Sequence, residues 1–338
     1  MTLTCLKRLF TISLCAAAML LHAGCHNNKV ENSPAAKIKP ASAKQQQRVM
    51  EANAAKDAGD YDTALAMFQD ILAENPTITT AYLGIGDIYV FKKDYEKAEP
   101  AYSRAARLEP RNFDAQYGHG LALQMLNRLI EAVRAYQRAL TIDPQNVKAN
   151  LNLAVTYLQM NEAASAVTFA EKAVALEPGN GSARINLGAA YEKVGRNAQA
   201  IEQYLAAMEL VENTPPLMLN LINVLAAEKR YQEAVNTAEN LVKIEQTANA
   251  YERLGWCYFR LSEFDKSLAA YRQAVNIDAN NWQSHNGIGV NLLNKWLLSK
   301  KQDREAMKAA RDAFRKSLRV NSDQQKLITL MSNYGLDR

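Results

Sequence analysis

The chain has little cysteine, and what it has is poorly placed for cross-linking. Of four cysteines in 338 residues, Cys5, Cys15 and Cys25 stand at the very start and only Cys257 lies in the body. An internal disulfide framework is excluded once the start is removed, so the fold must hold by packing. Histidine is as scarce. Past the leader only His26, His119 and His285 remain, none with a second metal ligand at helical or finger spacing, so neither metal nor cofactor is implied. An excess of one charge is also missing: 40 Lys plus Arg face 35 Asp plus Glu, and without Lys7 and Arg8 the formal +5 falls to +3. A nucleic-acid binder would carry a clustered basic excess, and no run here has that density. Long apolar runs are absent too, since Leu9 to Leu21, at about 13 residues, is too short to span a bilayer. Finally, the glycine pairs Gly84-Ile85-Gly86, Gly118-His119-Gly120 and Gly287-Ile288-Gly289 lack the third glycine and the preceding strand of a phosphate loop.

What is present at the start is an address. Lys7 and Arg8, the apolar run and the small residues Ala23-Gly24 form an export signal over 1–24. Ala23-Gly24-Cys25 resembles a bacterial lipobox, in which the cysteine is acylated and becomes the first residue. The usual aliphatic position three before the cysteine holds His22, with Leu21 one step further back. The resemblance implies lipidation at Cys25 and a place in the bacterial cell envelope, and His26 after the cysteine resembles the outer-membrane sorting pattern, facing the periplasm. A secreted or periplasmic soluble form stays open. Residues 25–44 are polar, contain Pro34 and Pro40 and lack helical periodicity, so they read as a flexible tether. A coil of that length holds the body on the order of 25 Å from its anchor.

The body repeats. Ala64, Ala98, Ala132, Ala166, Ala200 and Ala234 stand 34 residues apart, and Pro76, Pro110, Pro144 and Pro178 keep the same interval in a second phase. Apolar residues at helical spacing occur twice per interval around a short break such as Lys93-Asp94, which describes a helix, a tight turn and an antiparallel helix. The units begin at residues 45, 79, 113, 147, 181, 215, 248 and 282; the sixth is one residue short and the eighth carries about nine extra. In the unit from Thr79 to Asn112, Tyr82, Gly86, Tyr89, Tyr95, Ala98, Tyr102, Ala105 and Pro110 hold the positions at which the chain resembles the tetratricopeptide repeat family. The resemblance covers residues 45–322 and implies an all-α superhelical solenoid of about eight helix-turn-helix repeats. Residues 323–338, with Leu327, Ile328, Leu330, Met331 and Tyr334, are expected to form a capping helix and tail.

Glycine recurs inside the helices at Gly86, Gly120, Gly188, Gly255 and Gly289 although each costs about 1 kcal/mol relative to alanine. The expectation is that two helix backbones approach there too closely for a side chain, with the alanine series on the facing side. Pro100 falls inside a second helix and should remove one backbone bond and bend it. The insertion around Lys295 to Lys301 is expected to lengthen a helix pair, with contact to a membrane surface or partner as the alternative.

In this family the first helix of each repeat faces the concave side. The resemblance therefore implies that Asn152, Asn186 and Asn220 form a column able to pair with an extended peptide backbone. It resembles the asparagine ladder in the repeats of O-linked N-acetylglucosamine transferases, whose catalytic domain has no counterpart here; merely solvated asparagines are the alternative. Arg253, Trp256, Phe259 and Arg260 share one face of the seventh unit and form a candidate interface hot spot. Phe91, Tyr117, Lys148, Glu192 and Lys193 are further candidates, whereas the clamp that chaperone-binding repeats use for a C-terminal carboxylate is not assembled. Cys257 reads as a small buried residue. The implied role is a non-enzymatic scaffold that binds a partner protein or peptide in its groove. A lipid-anchored, pilotin-like assembly factor for a secretion or pilus machine is the alternative, and an enzyme acting on an envelope polymer ranks last.

Overall fold

The same turn joins the two helices of every regular repeat. Its fifteenth residue takes a left-handed φ: +82° at Gly59, 58° at Lys93 and Asn127, 60° at Asn161, 76° at Gly195, 59° at Lys229 and 65° at Ser262. In the second repeat the N–H of Lys93 donates to the carbonyl of Val90 and that of Asp94 to Tyr89, the double closure of a Schellman motif. Only two of the seven turns use glycine, so the hydrogen bonds and flanking packing hold the others in a conformation that costs a side-chain-bearing residue about 1–2 kcal/mol.

The computed structural model describes residues 39–337. The leader and Cys25 lie outside the described residues, as does most of the tether. The first four pairs of helices are α1 (Ala43–Asp57) with α2 (Tyr61–Glu74), α3 (Thr79–Phe91) with α4 (Tyr95–Leu108), α5 (Phe113–Met125) with α6 (Leu129–Ile142), and α7 (Val147–Gln159) with α8 (Ala163–Leu176). Then follow α9 (Gly181–Lys193) with α10 (Asn197–Met208), α11 (Pro215–Ala227) with α12 (Tyr231–Ile244), α13 (Ala248–Arg260) with α14 (Phe264–Ile277), and α15 (Trp282–Leu298) with α16 (Arg304–Val320). α17 (Gln325–Asn333) ends the array, and no strand occurs among the described residues. The fold is all-α. α1 starts inside the stretch read as tether, because Ser42 and Gln45 exchange hydrogen bonds as a capping box and draw Ala43 and Lys44 into the helix. α4 continues through Pro100.

Between repeats a second regularity appears. The fourth residue of a repeat donates to the carbonyl that ends the one before: Gln116 to Pro110 at 3.2 Å, Asn150 to Pro144 at 3.3 Å, Arg184 Nε to Pro178 at 2.9 Å. These bonds occupy loop carbonyls just past the C-cap of the preceding second helix and tie that loop to the next first helix.

The recurring glycines do not mark helix backbones in contact, as the sequence suggests; each faces an aromatic ring. A Cβ on Gly86 would stand 2.7 Å from the ring of Tyr102, and one on Gly120, Gly188, Gly255 or Gly289 would strike Tyr136, Tyr204, Tyr271 or Phe314. Each ring comes from the second helix of the same repeat. Burying a ring offsets the propensity cost of the glycine, since a large side chain contributes roughly 1.5–3 kcal/mol on burial. The alanine series lies beside these rings with Ala64, Ala98, Ala132, Ala166, Ala200 and Ala234 fully buried.

First helices also touch the first helix of the next repeat, as α1 with α3, α3 with α5, α5 with α7 and α13 with α15 do, and successive second helices do not to a comparable extent. The first helices therefore form the inner layer of the array, and the eighth repeat extends it. α15 and α16 have 17 residues each, against 13 and 14 in α3 and α4, so the insertion lengthens the pair. α17 buries Leu327 and Met331, with Leu336 after it, against Leu293, Trp296 and Phe314, while Ile328 stays exposed. Among the described residues no helix is long and apolar enough to cross a membrane, and no group of three or more His, Cys, Asp or Glu could hold a metal ion.

Candidate functional site

The sixth and eighth residues of each first helix decide how far the rings reach toward the inner face. Where both the eighth residue and the sixth residue of the next repeat are glycine, a ring lies between two helices with neither covering it by a side chain. This happens at Tyr102, which a Cβ on Gly86 would meet at 2.7 Å and one on Gly118 at 2.4 Å. It happens again at Tyr271, which a Cβ on Gly255 would meet at 2.9 Å and one on Gly287 at 2.3 Å. Each of these two tyrosines lines a cavity between successive first helices. One, between α3 and α5, holds about 520 Å³ and has Asp87, Phe91, Asp114, Tyr117 and Gly118 in its wall. The other, between α13 and α15, holds about 320 Å³ and is lined by Glu252, Trp256, Phe259, Arg260, Trp282 and Gly287.

In the first cavity the polar groups are largely committed. Tyr102 donates to Asp87 at 2.7 Å, and Asp87 also pairs with Lys56 at 2.9 Å. Burial, then the Asp87 charge, holds the Tyr102 hydroxyl well above the usual phenol range. Tyr117 stacks on Phe113 at 5.7 Å and accepts a bond from Asn152 Nδ2 at 3.0 Å. Phe91 stays 66% exposed although its ring leans on Tyr61 at 4.6 Å.

The second cavity is more aromatic, and its charges are less settled. Arg253 and Arg260 each bring a guanidinium to 5.9 Å from the Trp256 ring, and Arg260 lies 4.9 Å over Tyr231 and donates to its hydroxyl. Such contacts fix the indole while keeping one edge at the cavity. Phe259 meets Phe264 edge to face at 5.5 Å. Among the described residues Glu252 makes no hydrogen bond and no ion pair; burial pushes its carboxyl above the ordinary range, with Arg253 pulling it back. The Tyr271 hydroxyl is pushed up by burial first and then by Glu252.

The other sequence candidates are spread along the same layer. Asn186 donates to the Ser182 carbonyl of its own helix at 2.9 Å, whereas Asn220 makes no hydrogen bond among the described residues. Glu192 accepts from Tyr204 at 3.1 Å. Lys148 and Lys193 are exposed and line neither cavity. Cys257 is buried, and burial pushes its thiol up to about 12. Sequence reasoning missed Glu252, Tyr271 and Trp282. The signal lay in the Gly-x-Gly pairs, whose second glycine seats a ring and whose first exposes the ring of the preceding repeat.

Tetratricopeptide-repeat family profiles match residues 49–98 and 83–147, 135–168, 181–213 and 216–280, which together make up more than half of the chain. The chain belongs to the tetratricopeptide-repeat proteins. Its repeats are similar to those of the small glutamine-rich tetratricopeptide repeat-containing protein 2 of Mycosarcoma maydis, 28% identical over 117 residues, 34% of this chain and 33% of that one. The chain thus spans about a third of the length of the curated relative it matches. Among solved structures, the C-terminal part of a repeat protein from Cytophaga hutchinsonii aligns with TM-score 0.59 at 16% identity, over 71% of this chain and 99% of that one. PilW, described as a widely conserved type IV pilus biogenesis factor, aligns with TM-score 0.52 at 22% identity, covering 60% and 94%. Pseudomonas aeruginosa PilF gives 0.52 at 18%, covering 60% and 92%. These likenesses establish a shared tetratricopeptide-repeat fold.

Proposed function

We propose that this chain is a scaffold that holds an extended segment of another protein along its inner layer of first helices and performs no chemistry on it. The observation that carries this is the aromatic cavity between α13 and α15, where Trp256 is held by two guanidiniums and stands beside Phe259, Tyr271 and Trp282. Tryptophan and arginine supply most interface hot spots, and a ring already fixed loses little freedom on binding. Asn220, uncommitted on α11, and the exposed Lys148 and Lys193 extend the polar surface toward the first cavity. The test is capture of the partner from the native envelope by wild-type chain, followed by affinity measurement on the identified segment. Trp256→Ala is expected to weaken it by at least ~2 kcal/mol, the hot-spot threshold; unchanged affinity would place the binding surface elsewhere.

The chain works, in this reading, at a bacterial envelope to which acylated Cys25 ties it, probing partners within reach of a short tether. Assembly of a pilus or secretion machine is a second reading, favoured by the fold shared with PilW and PilF. Labelling cells with an alkyne fatty acid tests the anchor: label on wild type and none on Cys25→Ser supports it, and an unlabelled wild-type chain rules it out. Deletion that leaves every surface fibre and secreted substrate at normal level would remove the assembly role.

A further inference from the structure

Glu252 is set in the wall of the cavity between α13 and α15 with no partner among the described residues. Its polar neighbours are occupied or shut off. Arg260 is held on Tyr231 and Trp256 at the rim. Arg253 Nε and Asn286 Oδ1 are closed to solvent, and Asn286 Nδ2 donates to Gln324 at 2.6 Å. The functions left open to a ligand are the Glu252 carboxylate, the Tyr271 hydroxyl and the Gln283 amide at the rim. Around them stand the faces and edges of four aromatic residues. A carboxylate kept half-buried and unpaired is costly to the folded chain, and that cost is relieved when a cation arrives.

Three kinds of side chain could enter. An apolar one would gain ring contacts but would remove water from the carboxylate and leave it without a partner. An acidic one would set a second carboxylate beside the first, which disfavours ionisation of both. A basic one gains a charge-assisted hydrogen bond and cation–π contact together, and its methylene stem suits the apolar wall. The guanidiniums of Arg253 and Arg260 oppose a cation, but that of Arg253 lies over Trp256 with its Nε closed to solvent, and that of Arg260 is engaged with Tyr231 at the rim.

We propose that the cavity between α13 and α15 receives a lysine or arginine side chain of an extended partner peptide, its cationic head on Glu252 and its stem among Trp256, Phe259, Tyr271 and Trp282. This rests on the reading of the inner layer as a peptide-holding surface and adds which side chain anchors there. The cavity's volume of about 320 Å³ lies at the small end of ligand sites, in keeping with one side chain rather than a cofactor.

The test uses the full chain and four pools of acetylated, amidated nonapeptides. Each pool has a fixed central Lys, Arg, Leu or Glu, and its remaining positions are varied among uncharged residues. The blocked ends remove terminal charges, so any preference comes from the central side chain. The Lys and Arg pools are expected to bind about tenfold more tightly than the Leu and Glu pools, as a hydrogen bond to a charged group implies. Glu252→Gln, nearly isosteric, should bring the basic pools down to the level of the Leu pool, which should bind no more weakly than to wild type. Gln283→Lys, which adds a positive charge at the exposed rim, should lower binding of the basic pools and not that of the Glu pool. Best binding by the Leu or Glu pool, or a basic preference that survives Glu252→Gln, overturns this proposal and leaves the peptide-holding surface standing. Failure of wild type to bind any pool overturns both.

Discussion

Gly195 and Lys229 occupy the same place in two turns, at φ 76° and 59°, and differ only in whether a side chain must be accommodated. A Cβ on Gly195 meets nothing within 4 Å, so Gly195→Ala tests conformation free of any clash. It is expected to cost about 1 kcal/mol in a urea melt; a neutral result would mean that the flanking hydrogen bonds hold the turn whatever residue fills it. Glu252 gives a second residue-scale test, through pH. Its carboxyl is raised in the folded chain by burial above the ordinary glutamate value, with Arg253 opposing and Tyr271 and Arg260 also facing it. Between the ordinary and the raised value the folded chain holds more protons than the unfolded one, so stability falls as pH rises through that window. Glu252→Gln is therefore expected to raise the thermal midpoint at pH 7 and to lose that advantage at pH 4. Equal midpoints for the two chains at both pH values would mean the carboxylate is well solvated. At this scale the sequence announced Trp256, Phe259 and Arg260 through their helical spacing. It hid Glu252, because a glutamate on an amphipathic helix looks like any solvated charge until a second helix closes over it.

Among the elements, the second helices set the spacing of the array and the first helices carry its inner surface. A fully buried alanine on each of α2, α4, α6, α8, α10 and α12 sets the spacing within the repeat. Ala132→Leu or Ala166→Leu is expected to overpack that joint and lower stability by roughly 1–3 kcal/mol in urea. No loss would mean the repeat pairs are more loosely packed than their burial indicates. Helices, turns and the lengthened eighth pair were legible from spacing alone, since a 34-residue interval with two amphipathic stretches admits few other arrangements. The partner of the recurring glycine was not legible. A backbone contact and a ring contact both demand a missing side chain, and only the placement of Tyr102, Tyr136, Tyr204 and Tyr271 separates them.

At the scale of the whole molecule, stacking leaves one continuous layer of first helices whose side chains differ from end to end. Aromatic cavities lie near either end, at the second and third repeats and at the seventh and eighth, with asparagines at the sixth position between them. An extended chain lying across that layer would meet anchors at both ends and hydrogen-bonding amides in the middle. Solenoids tolerate this division because each repeat is stabilised by its neighbours, so surface residues can change with little effect on the stack. The most direct measurement places a photo-activated cross-linking residue, one position at a time, at exposed sites of the first helices (Lys148, Lys193, Gln283) and of the second helices (Lys172, Gln232) in the native cell. Adducts of one defined protein from the first-helix sites, with none from the second-helix sites, are the predicted outcome. Adducts to that protein from Lys172 and Gln232, with Lys148, Lys193 and Gln283 silent, would contradict it.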